Sequence, residues 1–451
     1  MLKKLTISTL LLLSTATGFA QGESTLFRTI KENYEEKADS MVNAFIESFM
    51  IKSKGVFNDM YQKYANNAYW TQAHAMDVII YCYERHKEDN KTLANKYKSY
   101  MSLWYSNKAN NYAGSAASSQ GGYSMFENPF TDDMCWITLT LLHMNEATGL
   151  AKYYTAAKGI FDNYIIKRAN EDEETGGLWL PWNTDAGSGP NACTQSPATL
   201  IAAKLYQRTG QEKYLTYAKK LYAYTSKKIV KVDYRVEEPP LTYTQGTFGE
   251  ACRILYHVTD EAASVKNKYR TLAYNYINYA FTSDRCTNGK NILRHEGTSG
   301  DQSIFKAVLI PYAVNFVLDT DMTINYRKTI ADLVQKNTKE LCSHLIWDRY
   351  PIVFCNFDWT KPWTGEDKEA SMGAMCSGAS LLENTARMQK AIIQNYQDYQ
   401  DAIQEVPATE EPKDIYAVYT LDGRMVRAPW QGAKNLPAGM YVINNKKVLI
   451  K

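Results

Sequence analysis

The sequence of 451 residues lacks the local motifs of several large enzyme classes. It contains no G-x-S-x-G nucleophile elbow, no H-E-x-x-H pair, no phosphate-binding P-loop and no dinucleotide-binding glycine pattern. Only six histidines are present, and none clusters at metal-ligand spacing. We therefore predict no metal and no cofactor, and the corresponding hydrolases and nucleotide-dependent enzymes are disfavoured.

Charge imbalance and paired cysteines are also missing. The net charge is only +3, which argues against a nucleic-acid partner. The eight cysteines are scattered without a C-x-x-C pair, so neither a metal site nor a disulfide framework is indicated. Several lie in apolar helical segments, where a buried free cysteine is the default, and a bridge between Cys342 and Cys355 is left open by the sequence.

Long apolar runs are absent apart from a short one near the N-terminus. Lys3 and Lys4 precede the apolar stretch 5–13, and Gly18-Phe19-Ala20 offers small residues for cleavage. This pattern predicts a signal peptide over 1–20, because the run is too short to span a bilayer. We expect the mature protein to be secreted or attached to the cell surface.

What the sequence has in abundance is amphipathic helix. Apolar residues at helical spacing predict twelve helices, joined in part by a turn that recurs at intervals of 50 to 62 residues, as at Thr148-Gly149 and Thr209-Gly210. The predicted helices are 28–51, 70–86, 91–104, 132–147, 151–168, 196–208, 212–229, 246–258, 263–281, 301–318, 323–342 and 370–403.

Six stacked helical hairpins that close on themselves form an all-α (α/α)6 toroid, which we predict for residues 21–403. An open solenoid of the same hairpins is the alternative. The segments between hairpins are long and rich in Gly, Trp, Asn and Pro, and such loops on a rigid scaffold often carry function.

The sequence changes character after the helices. Residues 404–413 predict a Pro/Glu/Thr-rich linker, and 414–451 predict a small all-β module with Asp422-Gly423 as a hairpin turn. This module resembles the C-terminal sorting domain of the type IX secretion system of Bacteroidetes, through Leu421-Asp422-Gly423-Arg424, Leu436-Pro437-Ala438-Gly439-Met440-Tyr441 and the terminal Lys447–Lys451. A plain β accessory module is the alternative.

Two adjacent carboxylates open a predicted helix in Asn128-Pro129-Phe130-Thr131-Asp132-Asp133. A structural interpretation is that Thr131 caps the helix while both aspartates complement its dipole. The chemical interpretation is glycoside hydrolysis, in which one carboxylate stays ionised and its neighbour holds a proton. Adjacency favours the separation of about 5–5.5 Å that retaining enzymes use over the longer one of inverting enzymes.

These residues, with five further motifs in order over residues 60–385, resemble glycoside hydrolase family 76, bacterial α-1,6-mannanases with an (α/α)6 fold. The other motifs are Tyr69–Asp77, Gly176–Trp179 with Asn191-Ala192, Tyr243–Phe248, Ile292–Glu296 and Asp301–Lys306. Pro190 and Thr244 depart from the family pattern, where Lys and Asn are expected. The resemblance implies Asp132 as nucleophile and Asp133 as acid/base.

Further substrate-binding candidates come from the same segments, each with a structural alternative. Aromatic rings that stack on sugars and amide or charged groups that bind hydroxyls single out Trp136, Trp182, Asn191, Tyr243, Gln245, Asp77 and Lys306. Loop packing, helix capping or snorkelling explains them equally well. For His74 a core role is favoured, and for Arg294 and Glu296 a structural ion pair.

Together these features predict an exported endo-acting retaining α-1,6-mannanase, monomeric, with α-mannan as its polysaccharide substrate. The signal peptide would deliver it to the periplasm of a Bacteroidetes-like bacterium, and the type IX secretion machinery would carry it across the outer membrane. A non-catalytic glycan-binding protein, another (α/α)6 polysaccharide-degrading enzyme and a structural helical-repeat protein are the alternatives.

Overall fold

A computed structural model describes residues 22–63, 69–111, 128–237, 239–404, 418–421, 425–427, 436–443 and 446–450. The predicted signal peptide and almost all of the predicted linker lie outside these residues. The chain divides into two compact units. The larger comprises Asn33–Met322 and Thr329–Met388, and the smaller comprises Met1–Glu32, Thr323–Lys328 and Gln389–Lys451.

Helices account for most of the described residues. The α-helices of ten residues or more are α1 Glu35–Phe49, α2 Tyr69–His86, α3 Lys91–Asn111, α4 Thr131–Thr148, α5 Ala151–Ile160, α6 Ala192–Thr209, α7 Glu212–Tyr224, α8 Thr242–Val258, α9 Ala263–Thr282, α10 Phe305–Leu318, α11 Ile324–His344 and α12 Met372–Gln404. Two short antiparallel hairpins interrupt them, formed by β1 Met50–Ile51 with β2 Val56–Phe57 and by β3 Asn170–Asp172 with β4 Gly177–Trp179.

The even-numbered helices form the inner wall of the larger unit. Helices α2, α4, α6, α8 and α10 pack against one another in that order. Ser380 of α12 donates to the carbonyl of Ala307 in α10, and Arg85 of α2 pairs with Glu383 of α12, so the series closes into a ring. Helices α3, α5, α7 and α9 pack outside their inner partners. The predicted (α/α)6 toroid is therefore confirmed, and the open solenoid is excluded.

The recurrent turn ends helices in a uniform way. Gly149 and Gly210 follow α4 and α6 with φ of 70° and 64°, a left-handed conformation that glycine adopts without steric cost. The preceding Thr148 and Thr209 each donate to a carbonyl one turn earlier and accept from the amide two residues on. The turn thus ends one helix and allows the next helix to begin within a few residues.

The C-terminal strands of the smaller unit form one antiparallel sheet. Strands β5 Val418–Thr420, β6 Met425–Arg427, β7 Gly439–Ile443 and β8 Lys446–Ile450 lie in the order β6-β5-β7-β8. Val418, Leu436, Tyr441 and Ile443 form its apolar core. The predicted β module is confirmed, while its Asp-Gly turn falls outside the described residues.

Two further expectations can be compared with the structure. None of the eight cysteines, all of which the structure describes, forms a disulfide, so the bridge between Cys342 and Cys355 that the sequence left open is not formed. In the part of the chain that the structure describes, no helix has the length and apolar character needed to cross a membrane.

Candidate active site

A pocket of about 140 Å³ lies where the N-terminal ends of the inner helices meet. Helices α2, α4, α6, α8 and the start of α10 each contribute side chains to it. Its lining consists of three carboxylates, four aromatic rings and one thiol: Asp132, Asp133, Asp301, Trp70, Trp136, Tyr243, Phe305 and Cys193. Of the residues predicted as site residues, the structure brings Asp132, Asp133, Trp136 and Tyr243 into this pocket.

The first turn of α4 presents both aspartates. The N-cap position is Phe130, which makes no side-chain cap, so the capping role predicted for Thr131 is wrong. Thr131 instead accepts from Arg168, whose guanidinium also donates to the carbonyls of Asn128 and Pro129. Arg168 therefore holds the loop that precedes α4, and the side chains of both aspartates line the pocket.

Asp132 is held by its neighbours on both oxygens. Its Oδ1 accepts from the backbone N–H of Asp133 at 3.0 Å, and its Oδ2 lies 3.5 Å from Sγ of Cys193. Burial raises the pKa of Asp132 to about 6, although both of these hydrogen bonds lower it, and the charge of Asp301 raises it further. The carboxyl group consequently changes protonation state in the neutral range, where a catalytic carboxyl group is useful.

The four aromatic rings that line the pocket lie against one another and form an aromatic wall. Tyr243 and Phe305 stack with centroids 4.2 Å apart and planes 20° from parallel. Trp70 lies within 6.5 Å of the ring centroids of both and of Trp136. Flat apolar surfaces of this kind suit the apolar faces of a sugar ring.

Asp301 is a pocket residue that was not among the sequence candidates. Its Oδ1 accepts from the indole N–H of Trp70 at 2.8 Å, so the carboxylate is fixed against the aromatic wall. The residue begins one of the family-like motifs, yet nothing in that motif distinguishes a carboxylate in the pocket from one in solvent.

The loop residues Trp182 and Asn191 lie outside the lining of this pocket. Trp182 is 39% exposed, stacks on Phe130 at 5.8 Å, and accepts from the amide of Thr131 through its carbonyl oxygen. Asn191 is the N-cap of α6, and its Oδ1 accepts from the amide of Thr194. Trp182 thus presents an exposed ring beside the start of α4, whereas Asn191 is committed to its helix.

Gln245 and Asp77 also lie outside the lining. Gln245 is fully buried and bonds to backbone groups of Val236, Tyr234 and Tyr276. Asp77 is buried between two histidines, 3.0 Å from Nδ1 of His143 and 3.5 Å from Nδ1 of His74. Burial opposes ionisation of Asp77, but His143 and His74 keep its pKa below the usual value.

The charges of Lys306 and Glu296 interact with each other near the start of α8 and α10. Lys306 donates to the carbonyl of Phe357 and lies 4.0 Å above the ring of Trp359, and burial lowers its pKa to about 8. Glu296, whose pKa burial raises, accepts from both the amide and the hydroxyl of Thr242. Glu296 thereby supplies the cap for α8 and fixes the start of the helix that carries Tyr243.

Comparison with known proteins agrees with this geometry. The sequence profile of glycosyl hydrolase family 76 matches residues 29–395, most of the chain. The chain belongs to glycosyl hydrolase family 76. It is therefore a glycoside hydrolase by family, and none of the curated protein sequences compared with it matches.

Solved structures of family 76 and related proteins share its fold. An inactive variant of the α-1,6-mannanase GH76A of Salegentibacter, carrying two neighbouring Asp→Ala substitutions and bound to α-1,6-mannotetrose, is 22% identical with a TM-score of 0.66. That match covers 79% of this chain and 100% of the mannanase chain. A family 76 mannosidase of Bacteroides thetaiotaomicron is 19% identical, with a TM-score of 0.59 and coverage of 81% and 99%.

A structure of lower sequence identity shares the fold as well. Dfg5 from Chaetomium thermophilum, solved in complex with glucosamine, is 12% identical with a TM-score of 0.61. The match covers 79% of this chain and 91% of that protein. At such low identity these likenesses establish the shared toroid alone.

Proposed function

We propose that this family 76 protein is an endo-acting retaining glycoside hydrolase that cleaves α-1,6-mannosidic bonds in mannan backbones. The observation that carries the proposal is the pocket itself. Two adjacent carboxyl groups line it together with four aromatic rings. The similar Salegentibacter mannanase, inactive when two neighbouring aspartates are replaced and bound to α-1,6-mannotetrose, supports the choice of substrate.

In the proposed mechanism Asp132 is the nucleophile. Its carboxylate attacks the anomeric carbon and forms a glycosyl-enzyme ester, while Asp133 transfers its proton to the leaving glycosidic oxygen. Water deprotonated by Asp133 then attacks the same carbon, which releases the mannosyl product and the Asp132 carboxylate. Two displacements give net retention, the outcome that adjacent carboxyl groups favour.

The protonation state of Asp132 sets the pH range of this reaction. The nucleophile must be ionised, and its pKa of about 6 places that condition above the acidic range. The backbone amide of Asp133 donates to Oδ1 of Asp132, which fixes the Asp132 carboxylate at the start of α4.

We also propose that the protein is exported and reaches the cell surface or the medium. The N-terminal pattern Lys3-Lys4 with the apolar stretch 5–13 supports export to the periplasm. The four-stranded C-terminal sheet is of a size that suits a type IX sorting domain. Loss of extracellular protein after deletion of residues 414–451 would support this route, and unchanged export would contradict it.

Hydrolysis of debranched α-1,6-mannan by residues 21–451 tests the enzymatic proposal. Chromatography should detect manno-oligosaccharides from the parent and almost none from Asp132→Ala or Asp133→Ala. Binding of mannan without product release would instead favour a glycan-binding protein, with Pro190 and Thr244 as the first positions to restore to Lys and Asn. Products that begin as single mannose units would contradict endo action.

A further inference from the structure

A thiol faces Asp132 inside the pocket. Cys193, the second residue of α6, places its Sγ 3.5 Å from Oδ2 of Asp132, within reach of a sulfur hydrogen bond. The other oxygen of Asp132 already accepts from the amide of Asp133. One contact comes from the helix that carries Asp132 and the other from a neighbouring helix, so together they hold the plane of the carboxylate.

The direction of the contact follows from protonation. Burial and the charge of Asp132 raise the pKa of the Cys193 thiol well above its usual value, so the sulfur keeps its proton and is a donor. Tyr243 lines the same pocket as Cys193, and burial raises the pKa of its phenol as well. The thiol proton of Cys193 is therefore available to Oδ2 of Asp132.

We propose that Cys193 is a positioning residue that holds Oδ2 of Asp132 through an S–H···O hydrogen bond and favours its ionised form. This inference rests on the proposed role of Asp132 as nucleophile. An S–H group is a weak donor, so it orients the carboxylate while withdrawing little of the electron density that attack requires.

The electrostatic surroundings make such a donor useful. Asp133 lies beside Asp132 on α4, and Asp301 faces it from the segment before α10. Glu237, in the segment before α8, adds a further negative charge near Cys193. The charge of Asp301 raises the pKa of Asp132, whereas the hydrogen bonds from the Cys193 thiol and the amide of Asp133 stabilise its ionised form.

The pH dependence of kcat/KM on α-1,6-mannan distinguishes positioning from packing. Cys193→Ala removes the donor, and we expect the acidic limb to move upward by about 0.5 to 1 pH unit, with a loss of about two- to fivefold near pH 6 that recovers above pH 8. Cys193→Ser restores a donor and should return the limb towards the parent. Tyr243→Phe should shift it less, and Cys252→Ala, a buried thiol elsewhere on α8, should leave it unchanged.

A second readout does not depend on hydrolysis. Water-soluble carbodiimide couples an amine to protonated carboxyl groups, and mass spectrometry of the Asp132 peptide at a series of pH values gives the titration midpoint of that residue. The midpoint should rise in Cys193→Ala and fall back in Cys193→Ser. Equal midpoints in all three proteins, or equal shifts in the Ala and Ser variants, would overturn the inference. If the parent cuts no mannan but the titration midpoint of Asp132 still rises in Cys193→Ala, the proposed function alone is contradicted.

Discussion

The inner helices bury acidic groups at both of their ends but surround them differently. At the N-terminal ends, Asp132 meets an amide, a thiol and other carboxylates, and its pKa rises to about 6. At the C-terminal ends a second pocket of about 560 Å³ contains Asp319, whose pKa falls to about 2. Burial opposes ionisation in both places, so the partners decide the direction.

The second pocket is neutralised pair by pair. Arg253 donates to Glu250 at 2.7 Å and to Asp319 at 2.6 Å, and Lys204 pairs with Glu146 at 2.9 Å. His257, Asp319 and Asp321 bring possible ligand atoms within 4.8 Å of one another. Arg253 nevertheless places a positive charge on the oxygen of Asp319 that a cation would need, so the cluster suits an ion-pair network rather than a metal.

This contrast separates reactive from structural acids within one ring of helices. A buried carboxylate with a guanidinium partner is stabilised as an anion and has no tendency to exchange protons near neutral pH. A buried carboxylate without a cation is costly to ionise, which is a condition that active sites maintain at the expense of stability. The pocket at the N-terminal ends fits the second description.

Asp132→Asn should produce the largest effect, and on activity alone. We expect mannan hydrolysis to fall by a factor on the order of 10⁴, since the nucleophile is lost. Folding stability at pH 7 should stay the same or rise by about 1 to 2 kcal/mol, because a carboxylate with a raised pKa no longer has to ionise in the folded state. Urea unfolding and product chromatography measure the two quantities, and a large loss of stability would contradict the contrast.

Arg253→Met should act in the opposite sense. It leaves the fully buried Glu250 and the neighbouring Asp319 without their shared cation, and we expect a loss of about 3 kcal/mol in the free energy of unfolding. Hydrolysis at a temperature where the variant is folded should be nearly unchanged. The exposed Lys290→Met is the matched control, and equal stability of the two variants would show that the network is dispensable.

The pH dependence of stability should have opposite signs at the two ends. The folded-state pKa of Asp319 is lowered, so its contribution is present above about pH 4 and is lost as pH falls towards 2. The folded-state pKa of Asp132 is raised, so its ionisation reduces stability as pH rises from about 4 through 6. Urea unfolding from pH 3 to 7.5 measures both effects. Asp319→Asn should be less stable than the parent at neutral pH, and Asp132→Asn should be more stable. Both differences in the free energy of unfolding should shrink as the pH falls towards 3.

The helices could be predicted from patterns that are local in the sequence. The apolar periodicity and the recurrent turn predicted all twelve helices, because both are set by neighbouring residues. The first helix begins at Glu35 rather than 28, and α6 and α8 begin four residues before their predicted starts. The cap of α8 comes from the distant Glu296, and no pattern local to Thr242 could reveal it.

The same distinction applies to the candidate site. Asp132 and Asp133 are adjacent in the sequence and begin a predicted helix, so the sequence alone indicates them as a candidate catalytic pair. Cys193 enters the pocket from α6 and Asp301 from the segment before α10, and only the closed ring brings them to Asp132. Gln245 lies in a family-like motif, but its side-chain amide bonds to backbone groups rather than facing the pocket. Its residue type alone does not distinguish these two roles.

Asp301→Asn should have the smallest effect and tests the field inside the pocket. The amide oxygen can still accept from Trp70, so only the charge that raises the pKa of Asp132 is removed. We expect the acidic limb of kcat/KM to move downward by a fraction of a pH unit, which increases activity about two- to threefold near pH 5 relative to pH 8. Because Asp301 is exposed, 0.5 M salt should reduce the difference from the parent. A rise in KM at every pH and salt concentration would instead mean that Asp301 binds a sugar hydroxyl directly, and the repulsion between the two carboxylates would then be secondary.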